Sequence, residues 1–118
     1  DLPGEGADGV VAGAARCPAT GDLWAEKAWS NKIASGFTIG SNLSGDQLNT
    51  IQYMQIFANQ HGMLWAGLPF MPTGRSPSDI NRMSSFLGLM TQSDNASVEV
   101  TPPEGDFLCL KLNLNHFN

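Results

Sequence analysis

Charge is what this sequence has least of: Asp, Glu, Lys and Arg make up 14% of its 118 residues, against the ~25% usual in soluble domains. Little repulsion is left to hold copies apart, so self-association is expected. Basic residues are scarcer still. The six Lys and Arg are scattered and the net charge is −5, so there is no patch to neutralise phosphates and nucleic acid is not an expected partner. Cys17 and Cys109 are too few and too far apart for a zinc site or a disulfide framework; both are expected to be reduced thiols in a cytoplasmic protein. No apolar run approaches the ~18 residues of a membrane span. The first residues, Asp1 to Gly6, are acidic and Gly-rich, the opposite of a signal peptide. They lack an initiator Met, which suggests a processed or trimmed chain, or part of a longer protein. No grouping of His, Cys, Asp and Glu has metal-ligand spacing. Two histidines without a local nucleophile do not indicate a Ser/His/Asp triad.

What is present suits one small α/β domain spanning 1–118. Hydrophobic residues are 42% of the chain, enough for one core at this length. Gly9–Ala14 is a short apolar run with β-branched residues at its centre and reads as a buried strand. Asp22–Trp29 reads as a short helical stretch. Lys32–Ile39 is a second strand candidate. Ser44–Gln60 is the best helix, with Ser44 as N-cap, Gln47 completing a capping box and Gly62 as terminator. Its apolar residues cover much of the circumference, as in a helix packed on a sheet. Met63–Leu68 is a third strand candidate, stopped by Pro69. The order strand, helix, strand, helix, strand implies a parallel sheet with right-handed crossovers. Ser78–Met90 is ambiguous: Ile80, Met83, Leu87 and Met90 recur at helical spacing, while Gly88 and the serines weaken a helix. Phe107–Leu114 alternates Leu with other residues and reads as a strand, giving the fold an additional C-terminal strand.

Four stretches carry a family resemblance: Gly21-Asp22-Leu23-Trp24, Lys32-Ile33-Ala34-Ser35-Gly36-Phe37, His61-Gly62-Met63, and Ile80-Asn81-Arg82-Met83-Ser84-Ser85-Phe86-Leu87-Gly88. In order and spacing they resemble the flavodoxin-like NAD(P)H:quinone oxidoreductases and FMN reductases, including the tryptophan-repressor-binding-protein branch, over roughly Ala7 to Pro103. The resemblance implies a doubly wound parallel sheet of order 2-1-3-4-5 with FMN at the carboxyl ends of the strands. Gly9–Ala14 then matches strand three, Lys32–Ile39 strand four and Met63–Leu68 strand five, a truncated flavodoxin-like sheet corresponding to the family's C-terminal half. The first two strands and the Gly-rich phosphate loop have no counterpart here. Such a loop binds phosphate through backbone N–H groups at a helix N-terminus, so FMN binding is expected to be weak or absent. The loop after strand three is shortened to Ala15–Ala19.

The resemblance also implies site residues. Thr38, Ile39, Gly40, Ser41 and Asn42 match the loop that contacts the isoalloxazine through backbone and hydroxyl groups; the plain alternative is a polar strand–helix turn. His61 matches the second His of a His-His-Gly-Met pattern, as a hydrogen-bond donor to a reduced flavin or quinone oxygen; the alternative is a helix C-terminal His held by the dipole. Gln60 stands where the first His would be. Trp24 matches a Trp at the substrate mouth, or else simply packs. Arg75 and Arg82 suit either a dinucleotide phosphate or the bare surface. Two functions fit. One is flavin-dependent electron transfer from NAD(P)H to a quinone. The other is a cofactor-free structural or interaction module. A missing first strand leaves Gly9–Ala14 as an open apolar edge, so a homodimer or higher oligomer through that sheet edge is expected.

Overall fold

A computed structural model describes residues 9–10, 20–97 and 99–116. The elements are β1 (Gly9–Val10), α1 (Gly21–Ala25), β2 (Ile33–Ala34), β3 (Phe37–Gly40), α2 (Gln47–Gln60), β4 (Leu64–Trp65), β5 (Leu89–Gln92) and α3 (Glu104–His116). β1, β2 and β4 form one parallel sheet in that order, and β3 pairs in parallel with β5. The order β1-β2-β4 is the one the resemblance implies for strands three, four and five. Of the expected strand Gly9–Ala14, Gly9 and Val10 are seen pairing with Ile33 and Ala34; Val11–Ala14, the Ala15–Ala19 loop and Cys17 lie outside the described residues.

The expected strand Lys32–Ile39 is one extended run that changes partner half-way. The carbonyls of Lys32 and Ala34 accept the N–H groups of Leu64 and Ala66. The carbonyls of Gly36 and Gly40 accept those of Leu89 and Ser93. One row of acceptors is thus satisfied by two donor segments, and residues 66–88 leave the sheet between them. The neck of this excursion is stitched by Leu68 N–H to the Phe86 carbonyl (2.8 Å) and by the Trp65 indole to the Leu87 carbonyl (2.9 Å). Backbones meet closely at the changeover. A Cβ on Gly88 would lie 2.6 Å from the Gly36 carbonyl, and one on Gly36 would lie 2.7 Å from the Trp65 ring.

Alternation along the run sorts its side chains. Gly36, Gly40 and Gly88 turn towards α2, whose Met54, Gln47 and Ile51 occupy the space their missing Cβ atoms leave. Leu89 and Thr91 turn to α3. The core is accordingly split. Ala34, Ala58 and Met63 cluster with Trp29 and Trp65 on the α2 side, and Leu68, Leu89 and Cys109 cluster with Phe70, Ile80 and Leu110 on the α3 side.

Several local expectations need correction. α2 starts at Gln47, not at Ser44: Asp46 is left-handed (φ 59°) and makes no side-chain cap. Gln47 completes no capping box; its amide is buried and donates to the Thr91 carbonyl at 2.6 Å. Gly62 does end the helix, at φ 75°. The helical stretch expected over Asp22–Trp29 stops at Ala25 and continues as turns. Ser78–Met90 forms no helix, because Asn81 and Ser84 adopt positive φ. The Asn81 amide instead bridges the Phe70 carbonyl and the Ser85 N–H.

The largest correction is Phe107–Leu114, which lies within a helix. It therefore supplies no strand to any edge, and the additional C-terminal strand does not exist. Helix wins because Glu104 and Asp106 favour an N-terminal turn, and because Asp106, Cys109 and Asn113 recur on one helical face. All three are buried. Asp106 holds Arg82 and Thr91, and Asn113 donates to Ser35 Oγ at 3.0 Å. Of the alternating leucines only Leu110 packs on the core, while Leu108, Leu112 and Leu114, with Phe107, are exposed.

Candidate functional site

The carboxyl end of α2 is wrapped by α1 and the turns after it. Lys27, at positive φ, donates to the Gln60 carbonyl at 3.3 Å, placing a cation where the helix dipole favours one. The Gly62 carbonyl accepts the Asn31 N–H. Here opens a pocket of about 300 Å³ lined by Thr20, Gly21, Trp24, Phe57, Gln60 and His61. Two residues read from the sequence, His61 and Trp24, therefore share one pocket.

His61 is 2% exposed. Its ring sits 4.7 Å from both Trp29 and Phe57, tilted to each. Thr20 Oγ1 lies 3.1 Å from Nε2, while Nδ1 has no hydrogen-bond partner among the described residues. Burial lowers its pKa below the usual histidine value, and the charge of Lys27 lowers it further. The ring is thus neutral at pH 7, with one nitrogen held by a hydroxyl and the other free to donate or accept a single hydrogen bond. Trp24 is half-exposed at the rim, with the Lys27 ammonium 4.8 Å from its ring.

Thr38, Ile39, Gly40, Ser41 and Asn42 lie elsewhere. Gly40 adjoins Gln47 at the start of α2, and His61 follows its last turn. A 14-residue helix separates them, a distance of ~20 Å. The Gly40 and Ser41 carbonyls accept the N–H groups of Ser93 and Asp94. Thr38 and Ile39 line a second cavity of about 370 Å³ between β3, β5 and α3, walled by Phe37, Leu89, Thr91, Pro102, Asp106, Phe107 and Leu110.

Arg82 is neither on the surface nor free for a phosphate. Its guanidinium meets the Asp106 carboxylate at 3.2–3.3 Å and the Gln92 carbonyl at 3.2 Å. The two side chains are 9% and 1% exposed, and Thr91 Oγ1 donates to the same carboxylate. The sequence reading missed this cluster. Its signal was the spacing of Asp106, Cys109 and Asn113, hidden under the alternating leucines. Beside it, burial pushes the Cys109 thiol pKa up.

The residues described do not by themselves fit FMN. Its phosphate carries about two charges and needs several N–H donors at a helix N-terminus. The long helix that follows the proposed ring-contact loop opens instead on the carboxylate of Asp46, and the space beside Gly40 is filled by Gln47. Among the described residues no group of three His, Cys, Asp or Glu could hold a metal ion, and no helix is long and apolar enough to cross a membrane.

No family model matches the sequence. Over 79 residues it is 39% identical to an NAD(P)H dehydrogenase (quinone) of Syntrophus aciditrophicus, strain SB, a match covering 67% of this chain and 39% of that protein. The fold is similar to the crystal structure of the flavodoxin, WrbA-like protein from Agrobacterium tumefaciens, with a TM-score of 0.62 and 26% identity over 92% of this chain. The chain thus spans 39% of the curated relative's length and 65% of the structural neighbour's. Over the length they share, sequence and fold are similar to those of flavodoxin-like quinone oxidoreductases.

Proposed function

We propose that this chain forms part of a flavodoxin-like oxidoreductase that passes electrons from NAD(P)H through FMN to a quinone. The observation that carries the reading is the 39% identity to an NAD(P)H dehydrogenase (quinone), on a chain whose parallel sheet has a flavodoxin-like order. The flavin supplies the redox chemistry when bound; the protein positions it and excludes water. Thr38–Asn42 is the proposed ring-contact loop, through the hydroxyls of Thr38 and Ser41. His61, ~20 Å away along α2, serves that same ring only from another copy. Within one chain its proposed role is to donate or accept one hydrogen bond in the Trp24 pocket.

Titration of FMN into the purified chain, followed by flavin fluorescence, tests the reading. Weak quenching with a Kd above ~10 μM is expected, since the phosphate donors are lacking, and Ser41→Ala should weaken it further. Complete absence of binding at millimolar FMN, with no NAD(P)H:quinone activity, would overturn the electron-transfer reading. It would favour the second one, a cofactor-free interaction module, which the carboxylate at the start of α2 supports.

A further inference from the structure

Residues 20–31 form a strap over the carboxyl end of α2, and hydrogen bonds hold it there at Gln60, His61 and Gly62. Lys27 Nζ donates to the Gln60 carbonyl at 3.3 Å, Thr20 Oγ1 lies 3.1 Å from His61 Nε2, and the Asn31 N–H donates to the Gly62 carbonyl at 2.9 Å. Trp29, within the strap, places its ring 4.7 Å from that of His61 and 6.4 Å from that of Phe57. The strap has little order of its own. α1 is five residues long with no side-chain cap, far below the ~12 residues at which an isolated helix becomes even marginal. Its conformation therefore depends on being docked. His61, 2% exposed, stands at the centre of the docking site.

We propose that neutral His61 is the latch of this strap, and that uptake of one proton by its ring releases residues 20–31 and opens the Trp24 pocket. The neutral ring is satisfied by Thr20 and two aromatic neighbours. An imidazolium carries two N–H donors, and Nδ1 has no acceptor among the described residues. No ion pair includes His61 among those residues either. α2 carries no Asp, Glu, Lys or Arg, and its Tyr53 lies more than two turns from the ring. Met63, Leu64 and Trp65, which follow, are uncharged. The strap contributes Asp22, Glu26 and Lys27; of these, the charge that acts on the ring is that of Lys27, and it opposes a proton. The faces of Trp29 and Phe57 and the end of the α2 dipole favour a cation. Lys27 already occupies the place at the dipole, and burial outweighs both, so the closed ring binds its proton less tightly than a free histidine. A solvated ring in the released strap binds it normally. Each pH unit below ~6.5 therefore favours release by up to about tenfold, until the closed ring titrates as well. Release breaks no strand pairing, since β2 begins at Ile33. The latch acts on the pocket whether or not the chain holds a flavin.

Acrylamide quenching of tryptophan fluorescence reads the strap, because Trp24 and Trp29 ride on it while Trp65 lies in β4. From pH 7.5 to pH 5 the quenching constant should rise about twofold as the strap tryptophans enter solvent, with far-UV circular dichroism unchanged. The constant is the measure rather than the intensity, because an imidazolium beside Trp29 dims it even under a closed strap. In the His116→Gln chain His61 is the remaining histidine, and its ring proton resonance should titrate with the same midpoint as the quenching constant. His61→Gln cannot take up the proton and should keep its neutral accessibility down to pH 5. Lys27→Glu, at an exposed position, removes the opposing charge and offers the imidazolium an anion. Its difference between pH 7.5 and pH 5 should disappear even though the tie to Gln60 is lost. A ring that stays neutral to pH 5, a ring that titrates while the quenching constant does not move, or a full pH response in His61→Gln or Lys27→Glu would each overturn the proposal. So would a response that appears only together with loss of far-UV circular dichroism, which is global unfolding.

Discussion

Replacing Asp106 by alanine is expected to remove much of the domain's stability. The carboxylate is 1% exposed and receives three groups: Arg82 Nε, Arg82 Nη2 and the Thr91 hydroxyl. Alanine leaves the guanidinium, itself 9% exposed, with the Gln92 carbonyl as its remaining partner, and leaves the Thr91 hydroxyl without its acceptor. Removing one member of a buried pair costs about 3–5 kcal/mol because the other charge is stranded. Small domains hold only ~5–15 kcal/mol in total. Asp106→Asn, which keeps the shape and one acceptor, should cost roughly half as much. The double variant Arg82→Met/Asp106→Leu should return close to wild type, since a well-packed apolar pair is often as stable as the ion pair it replaces. Urea unfolding followed by far-UV circular dichroism measures all three, with an unchanged m-value as the control. A loss under ~1 kcal/mol for Asp106→Ala, or a double variant as unstable as the sum of its singles, would refute the argument.

Gly88→Ala should cost ~1–3 kcal/mol by overpacking, because its Cβ would press on the Gly36 carbonyl and on Ile51; urea midpoints for Gly88→Ala and for the open-sited Gly21→Ala give the contrast. His61 makes stability pH-dependent. Its native pKa lies below 6.5, so the unfolded chain takes up the proton first as pH falls. The contribution is complete above pH ~6.5 and is lost as pH falls towards the lower native value; His61→Gln should flatten that stretch of the stability profile. Burial and a raised pKa should make Cys109 unreactive towards a disulfide reagent at pH 8 in the Cys17→Ser background, and prompt reaction in the native state would contradict the packing.

Much of the sheet was legible because its signals are local. Apolar runs at Lys32–Ile39 and Met63–Leu68, separated by a long amphipathic segment, fix neighbouring parallel strands, and β2 and β4 pair accordingly. The partner change at Gly36 was not legible, since nothing in Ser35-Gly36-Phe37 says that its next donor is Leu89. α3 misled for a clear reason. Alternating leucines mimic a strand when leucine is assumed to point inwards, whereas this helix buries a carboxylate, a thiol and an amide whose partners lie far along the chain. The site was legible in pieces. His61 and Trp24 do share a cavity, while the distance from His61 to Thr38–Asn42 depends on which end of α2 each occupies.

Residues 66–88 leave the sheet through a neck closed by Leu68 to Phe86 and by Trp65 to Leu87, while both donor segments keep their register on a single run. Sheet geometry therefore places no demand on how long that detour is. Lengthening, shortening or replacing the tip around Arg75 changes loop-closure entropy only slightly, by about 0.6 kcal/mol for each doubling of length. The tip of the detour is a cassette: the part of this scaffold where new recognition chemistry can be grafted without renegotiating a single strand pairing, while Leu68, Ile80, Asn81 and Arg82 at its base stay bound into the core.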